Sequence, residues 1–418
     1  GYENKVLSLQ DIKALSLVIT LNEAINTLDE VYISNKKPNV DSIIARVKSR
    51  LAVNYNTKLM QYEIFRRTTD YVDFTSLDFE IEKAKHVKKE NLEKANQSLA
   101  AMGKQIKESN IVSFSDFKGT LYTLNKDSSK IVVDKATKLL DHKNDFSIDN
   151  VQEKSQDIAL TYLDTTKTYK LKTGIFKIED SLSLKSEDFK DEEEDQYHLP
   201  YLNDNTRSLL RRSQFYKNSF LSRLLNTDYY EYELLDIGFN NSELTYILNF
   251  EPRKGKAKYG GTLYVADDTY AITRASYKYY KKRRGKSMNL KLLLGVKYSE
   301  NVSEGTVIFD KDSSNIYHPK YINRTTGSYF YVSRGLKFIE NSVNRYKIGF
   351  DFKLEGDYRD KEELLITTHN KVTQDDFAAI PQAKKAPITV LNRYENTLWE
   401  NEAIIEPSIE MKAFRIKD

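Results

Sequence analysis

The fold is decided by residues 230–279, "YEYELLDIGFNNSELTYILNFEPRKGKAKYGGTLYVADDTYAITRASYKY". Apolar and aromatic side chains alternate with polar ones in four short runs, at 229–237, 244–250, 258–265 and 270–280. The links "FNNS" and "ADDT" are rich in the Asn, Asp and Ser that turns favour. Connections this short join antiparallel neighbours, because parallel strands need a crossover of a dozen or more residues. The stretch therefore predicts an antiparallel meander.

The same pattern continues beyond this stretch. Five further β-prone segments are predicted at 290–298, 305–310, 317–323, 329–332 and 346–354. "KDSSN" and "RTTG" between them predict turns. The 29 tyrosines and 19 phenylalanines also favour strands over helices. We therefore predict an α+β fold, mostly antiparallel β, with helices packed on a large curved, half-barrel-like sheet.

Two amphipathic helices are predicted earlier in the chain. The first follows start signals at Pro38 and Asp41. Its apolar positions recur at helical spacing: Val40, Ile43, Ile44, Val47 and Leu51. The second, at 88–109, is rich in helix formers. Residues 59–87 between them are interpreted as one long hairpin or two edge strands.

Shorter elements and loops are predicted in the less regular segments of the chain. Residues 110–182 predict short strands and a helix near 147–156, and residues 206–225 predict a helical stretch. The acidic run "EDFKDEEEDQ" at 187–196 has no periodicity and indicates a solvated loop. Residues 28–33 alternate like a closing strand of a sandwich whose earlier strands are absent.

These patterns divide the chain into five parts. They are the end of a β-sandwich (1–34), an α/β region (35–186), an acidic linker (187–204), a large antiparallel sheet (205–390) and a tail (391–418). The single tryptophan, Trp399, is expected to anchor that tail on the body.

Composition excludes several classes of function. The chain has no cysteine, so disulfides, thiolate metal sites and cysteine nucleophiles are ruled out. No stretch approaches the ~20 apolar residues of a spanning helix. The net charge of +4 is spread along the chain, which gives no support for a nucleic-acid partner.

No catalytic motif is found, and we expect a protein that is not an enzyme. The Ser elbow, the phosphate-binding loops and the HExxH pattern are all missing. The five histidines stand far apart with no metal-ligand spacing, although three of them could converge in space: His86, His142, His198, His318 and His369. Adjacent carboxylates such as Asp267 and Asp268 lie in polar turns where both stay ionised. We therefore predict no catalytic residue, no cofactor and no metal.

Two short motifs have a structural and a functional interpretation. "YGGTLY" at 259–264 lies between strands, which favours a bulge or a close sheet contact over a phosphate loop. "DKDSS" at 310–314 and "NKDSS" at 125–129 lack the Gly and Glu of a calcium loop, and plain turns are favoured.

The candidate contact site is the basic stretch "YKYYKKRRGKS" at 277–287. We predict that its charged side chains contact a partner or lipid headgroups: Lys278, Lys281, Lys282, Arg283, Arg284 and Lys286. The alternative is a solvated hairpin tip whose charges protect a sheet edge from aggregation. An adjacent groove that takes an acyl chain is a further alternative, unless Leu290, Leu292, Leu294 and Val296 fill it as core.

Three segments resemble one group of proteins. "ITLNEAINTLDEVYI" at 19–33 resembles the end of the carboxypeptidase-regulatory-like, transthyretin-type domain of Bacteroidota envelope proteins, and residues 230–279 and the tail "LWENEAIIEPSIEMKAF" at 398–414 are similar to the same group. That group has uncharacterised function. In it, the sandwich precedes an α/β unit and a sheet that resembles the half-barrels of periplasmic lipoprotein carriers.

The resemblance implies a location and a partner. It implies a protein of the periplasm or the outer-membrane surface, exported by a signal not present in this chain. The function expected from it is a non-catalytic accessory subunit of an outer-membrane β-barrel complex, in outer-membrane protein biogenesis or transport. A membrane surface or lipid is the second predicted partner. The alternative function is a carrier that binds lipid or lipoprotein acyl chains in a half-barrel groove.

Overall fold

The structure is a computed structural model. It describes residues 38–55, 59–84, 87–109, 111–139, 163–164, 166–173, 176–183, 196–240 and 243–415. The predictions for the sandwich strands before residue 34, for a helix near 147–156 and for nearly all of the acidic run at 187–196 lie outside these residues, as do His86 and His142. The chain divides into two compact units, Gly1–Asn39 and Val40–Asp418, and only the second is described below.

One sheet of fourteen strands dominates this unit. Its strands, numbered with the rest along the chain, are β1 (Met60–Ala84), β2 (Ile111–Asn125), β3 (Ser128–Leu139), β4 (Thr168–Thr173), β5 (Phe176–Ser183), β7 (Tyr230–Asn240), β8 (Glu243–Pro252), β9 (Tyr259–Ala266), β10 (Ile272–Tyr279), β11 (Ser287–Leu290), β12 (Val296–Lys311), β13 (Tyr317–Glu340), β14 (Lys347–Lys371) and β16 (Thr389–Leu391). Two short strands, β6 (Gln196–His198) and β15 (Lys385–Pro387), pair separately.

The strand order is β16-β3-β2-β1-β14-β13-β12-β10-β9-β8-β7. In addition, β11 pairs with β12, and β4 pairs with both β13 and β5. All pairs are antiparallel except β16 with β3. The predicted meander therefore forms one half of the sheet, as expected. β14 then returns to pair with β1, so strands from the regions 35–186 and 205–390 share one sheet.

The interpretation of residues 59–87 as a hairpin or as edge strands is wrong. β1 is a single strand with neighbours on both sides, β2 and β14. Its sequence has no Gly, Pro or Asn to start a turn, and three register shifts absorb the irregularities along it. Its charged residues Arg66 and Arg67 are buried in ion pairs, so their presence does not indicate an exposed edge.

Two local predictions in the C-terminal half are also wrong. "RTTG" at 324–327 lies inside β13, where both neighbouring strands continue the hydrogen-bonded ladder past it. The strand predicted at 290–298 is broken by the helical turn Lys291–Leu294. This turn ends at Gly295, whose φ of 64° is left-handed and suits glycine best.

Seven α-helical segments and one 3₁₀ helix (Asn396–Trp399) are described along the chain, the former being α1 (Val40–Asn54), α2 (Lys89–Glu108), α3 (Leu199–Arg212), α4 (Phe220–Arg223), α5 (the turn Lys291–Leu294), α6 (Gln374–Ala379) and α7 (Ile409–Ala413). α1 and α2 confirm the two predicted amphipathic helices. The predicted stretch at 206–225 forms two helices, α3 and α4. α3 begins earlier than predicted, at Leu199, because Pro200 is well suited to the first turn of a helix.

The main core lies between the helices and one face of the sheet. α1 buries Ile43, Ile44 and Val47 there, and α3 buries Leu209 and Leu210. These side chains pack with inward residues of β1, β8, β9, β12, β13 and β14 in one continuous cluster. α2 packs on the later half of β1 in two smaller clusters.

The tail packs on the main body, as predicted for Trp399. The indole is only 3% exposed and meets the ring of Phe65 edge-on, with centroids 5.2 Å apart. The Arg67 guanidinium donates to the backbone oxygens of Ile405 and Glu406, both at 3.1 Å. Since Phe65 and Arg67 alternate with Ile64 and Arg66 along β1, the tail lies on the side of the sheet away from the main core.

The predicted fold class is confirmed in its coarse form: a mostly β protein with a large antiparallel sheet and few helices. No sheet closes on itself among the described residues, so the half-barrel shape stays a prediction. In the same part of the chain, no helix has the length and apolar character needed to cross a membrane.

Candidate functional site

The basic stretch lies in the loop 280–286, between β10 and β11. The alternative interpretation of this stretch as a hairpin tip is wrong. β10 pairs with β12 over 304–308, and β11 pairs with the same edge of β12 over 296–299. The loop therefore connects two strands, β10 and β11, that pair one after the other with the same side of β12.

Polar contacts hold this loop to its neighbours. The Tyr280 hydroxyl donates to Glu251 Oε2 at 2.6 Å, and the backbone N–H of Gly285 donates to the Glu300 oxygen at 2.9 Å. Arg283 donates from Nη1 to the backbone oxygens of Lys254, at 2.9 Å, and of Ala257. Arg283 is thus a positioning residue of the loop rather than a free charge.

The other five predicted site residues are exposed: Lys278, Lys281, Lys282, Arg284 and Lys286. None of them forms an ion pair with a carboxylate in the described part of the chain. Lys281 lies over the Tyr280 ring at 4.4 Å, and its hydrogen bond with that hydroxyl raises its pKa, so it stays charged. The loop and the adjoining end of β10 therefore present five positively charged side chains without a direct ion pair among the described residues, although Glu251 and Glu300 accept hydrogen bonds from the loop.

The series of positively charged residues continues beyond the loop, through β11 and the turn Lys291–Leu294, to Lys297. We call residues 278–297 the basic edge segment. It contains eight Lys or Arg and no Asp or Glu, whereas the net charge of the whole chain is +4. The remainder of the chain is therefore net negative, so the positive charge is concentrated at one edge of the sheet.

The turn α5 adds exposed apolar side chains to the basic edge segment. Leu292 and Leu293 are 101% and 80% exposed. The turn itself is fixed, because Ser333 N–H donates to the Gly295 oxygen at 2.8 Å and Lys291 lies 4.0 Å from the Tyr331 ring centroid. The expectation that Leu290, Leu292, Leu294 and Val296 fill a groove as core is therefore wrong for Leu292, whereas the other three side chains are half-buried.

A cleft of about 430 Å³ opens beside the same loop. Its charged lining is entirely basic: Arg212, Arg223, Lys256 and Lys258. The cleft contacts the loop 280–286 directly, because Nζ of its lining residue Lys258 donates a hydrogen bond to the Gly285 backbone oxygen at 3.3 Å. Arg212 Nε is buried and has no hydrogen-bond partner among the described residues, while its guanidinium lies over the Phe220 ring at 3.7 Å.

A second candidate surface lies at the far edge of the sheet. β7 is the last strand in the order, and three of its apolar side chains are 40–54% exposed: Leu235, Ile237 and Phe239. Exposed edge strands of this kind are templates for pairing with another chain. The sequence predicted this strand but gave no sign that it forms an edge.

The predicted close contact in "YGGTLY" is confirmed. Gly261 lies in β9 opposite Tyr277 of β10. A Cβ at Gly261 would be 2.0 Å from the Ser276 backbone oxygen, so only glycine lets the two strands approach this closely.

A half-buried carboxylate pair was missed by the sequence reasoning. Asp70 in β1 and Asp360 in β14 lie opposite each other, and the Tyr358 hydroxyl donates to Asp70 Oδ1 at 2.5 Å. Burial first, and then the charges of Glu362 and Asp70, raise the pKa of Asp360 to about 7. Only adjacent carboxylates were considered in the sequence, whereas this pair is created by strand pairing. Asp360 is therefore a group whose protonation near neutral pH changes the stability of the fold.

No protein-family model matches the chain, and no curated protein sequence matches it. Among solved structures, the chain is similar to one described as "Crystal structure of MucB in complex with MucA(peri)". The match covers 84% of this chain and 100% of that chain, at 8% identity and a TM-score of 0.18. At this TM-score neither fold nor function can be transferred.

Proposed function

We propose that this chain is a non-catalytic envelope protein that docks on an anionic membrane surface through the basic edge segment. The observation that carries the proposal is the concentration of eight basic and no acidic residues beside two exposed leucines. The all-basic cleft next to the loop supports it, since phosphate groups of lipids suit such a lining.

The expected energies are sufficient for reversible binding. Each Lys or Arg near an anionic surface contributes ~1 kcal/mol. Full burial of a leucine side chain adds ~1.5–3 kcal/mol, and Leu292 and Leu293 have nearly all of that surface still to bury. Charge and apolar insertion together supply the two signals that stable peripheral attachment requires.

The edge strand β7 supports a protein partner in addition to the membrane. Among the described residues no strand pairs with its outer edge, and this edge with its exposed apolar side chains suits addition of a strand from another protein. With the resemblance of 19–33, 230–279 and 398–414 to Bacteroidota envelope proteins, this favours an accessory subunit of an outer-membrane β-barrel complex. The location proposed with it is the periplasm or the outer-membrane surface.

The carrier alternative has less support. A carrier needs an open apolar groove on the sheet, and in the described part of the chain that face is filled by core side chains of α3, α4 and the link between them: Leu209, Leu210, Phe215, Phe220 and Leu221. A lipid extracted from the purified protein at near one-to-one stoichiometry would favour the carrier over the subunit.

Vesicle binding tests the proposal. The quadruple variant Lys281→Gln, Lys282→Gln, Arg284→Gln, Lys286→Gln removes exposed charge and leaves the structural Arg283 in place. The matched control replaces four exposed lysines around α2 by Gln: Lys88, Lys89, Lys94 and Lys104. Both variants lose the same net charge.

We expect the wild type to sediment with vesicles that contain phosphatidylglycerol but not with pure phosphatidylcholine. The quadruple variant should bind roughly a thousandfold more weakly, from four contributions of ~1 kcal/mol. The control should lose far less. Equal binding by the two variants would show that the basic edge segment has no special role, and capture of a barrel protein from solubilised outer membranes would test the second surface.

A further inference from the structure

Three potential metal ligands converge where β12 turns into β13. They are Asp312 in the turn, His318 near the start of β13 and His369 near the end of β14, and their ligand atoms lie within 4.8 Å of one another. The two imidazole rings are stacked with centroids 3.9 Å apart. Among the described residues, this is the one such group of three. The spacing of the histidines in the sequence gave no sign of it, because adjacent strands bring them together.

The Asp312 carboxylate is fixed in place before any ligand binds. Its Oδ1 accepts hydrogen bonds from the backbone N–H groups of Ser314 and Ile316, at 2.8 and 2.9 Å. Its Oδ2 lies 3.1 Å from Nε2 of His318. The "DKDSS" turn is therefore a plain turn, as predicted, but it also orients one carboxylate oxygen towards the histidines.

Imidazole nitrogens and a carboxylate oxygen are the donor types that bind metal ions of the zinc class.

His318 is only 3% exposed, and its Nδ1 has no hydrogen-bond partner in the part of the chain that the structure describes. An unpaired nitrogen in a buried imidazole is uncommon, and an ion bound nearby is one physical explanation for it. Nε2 and Oδ2 have the separation that a shared ion needs. Two ligands ~2.0–2.1 Å from a tetrahedral zinc ion lie about 3.3 Å apart, close to the 3.1 Å observed.

We propose that Asp312, His318 and His369 bind one divalent transition-metal ion of the zinc class. Two nitrogen donors and one carboxylate suit zinc or cobalt and disfavour calcium, which takes oxygen ligands. The half-buried His369 completes the set, since its ligand nitrogen lies within 4.8 Å of the ligand atoms of Asp312 and His318. The ion ties the β12–β13 turn to the end of β14, and its role is structural. This site is independent of the proposed membrane docking.

Cobalt is the probe for the test, because its visible absorption reports nitrogen and oxygen ligands directly. Chelator-treated full-length protein is titrated with Co²⁺ and then with Zn²⁺ as a competitor. We expect one ion per chain and a higher unfolding temperature. His369→Ala and Asp312→Asn should each weaken binding at least tenfold, while the exposed His198→Ala binds as the wild type does.

Two results would overturn the proposal. One is the absence of saturable Co²⁺ binding by wild-type protein whose unfolding curve shows that it is folded. The other is binding that survives in His369→Ala but disappears when His86 and His142 are replaced, which would place the ion elsewhere. Unfolding curves of Asp312→Asn separate loss of a ligand from loss of the turn.

Discussion

Replacing Asp360 by Asn should change how stability depends on pH. The pKa of this carboxyl is about 7 in the folded chain, against 3.8 for the ordinary group. Between these values the folded state holds a proton that the unfolded state has released, so stability falls as pH rises and becomes level above about pH 7. One pKa unit corresponds to about 1.4 kcal/mol, and the loss through this group from pH 5 to pH 7 is therefore ~3 kcal/mol.

Asn cannot ionise, so the variant should escape this loss. We expect Asp360→Asn to be modestly more stable than the wild type at pH 5 and several kcal/mol more stable at pH 8. Urea unfolding followed by the fluorescence of Trp399 suits the measurement, because it is the single tryptophan and it is buried in the main unit. Asp73→Asn, at an exposed position of β1, is the control. If the curves of wild type and Asp360→Asn stay parallel from pH 5 to pH 8, the buried-acid reasoning is refuted.

Two further predictions concern the tail and the exposed leucines. Trp399→Ala should cost ~3–5 kcal/mol of unfolding free energy, since the indole is 3% exposed, and truncation before Asn392 should lower the melting temperature as well; circular dichroism measures both. An unchanged melting temperature in both would show that the tail does not stabilise the body. Leu292→Ser with Leu293→Ser should leave the melting temperature unchanged, because both side chains are exposed, yet weaken vesicle binding roughly tenfold or more. A lower melting temperature would mean that the leucines are packed.

Much of the fold follows from local sequence patterns. The helices at Val40–Asn54 and Lys89–Glu108 and the meander from Tyr230 onward were predicted closely, because their periodicity and turn residues agree with the final structure. Strand β1 was interpreted as one long hairpin or two edge strands, in a segment where apolar and charged residues are mixed. Arg66 and Arg67 find Glu362 and Asp116 only through pairing with distant strands, which no local pattern contains.

The candidate sites show the same limit. The basic loop was found from its sequence, but its boundary was drawn at Ser287 because 290–298 was assigned to a buried strand. The eight positive charges were therefore divided between two elements. The role of Arg283 and the convergence of His318 with His369 depend on which strands become neighbours, so composition and spacing do not reveal them.

The pairing of β1 with β14 has a consequence for how the protein is made. The 25-residue central strand β1 pairs along its full length with its second neighbour only after residue 371 has been synthesised. Until then β1 has one open side, and a chain of this kind folds slowly because its closing contacts join distant parts of the sequence. Such an intermediate is prone to aggregate through its unpaired strand edge. A chaperone that binds Met60–Ala84 would therefore be needed most before the last third of the chain has been synthesised.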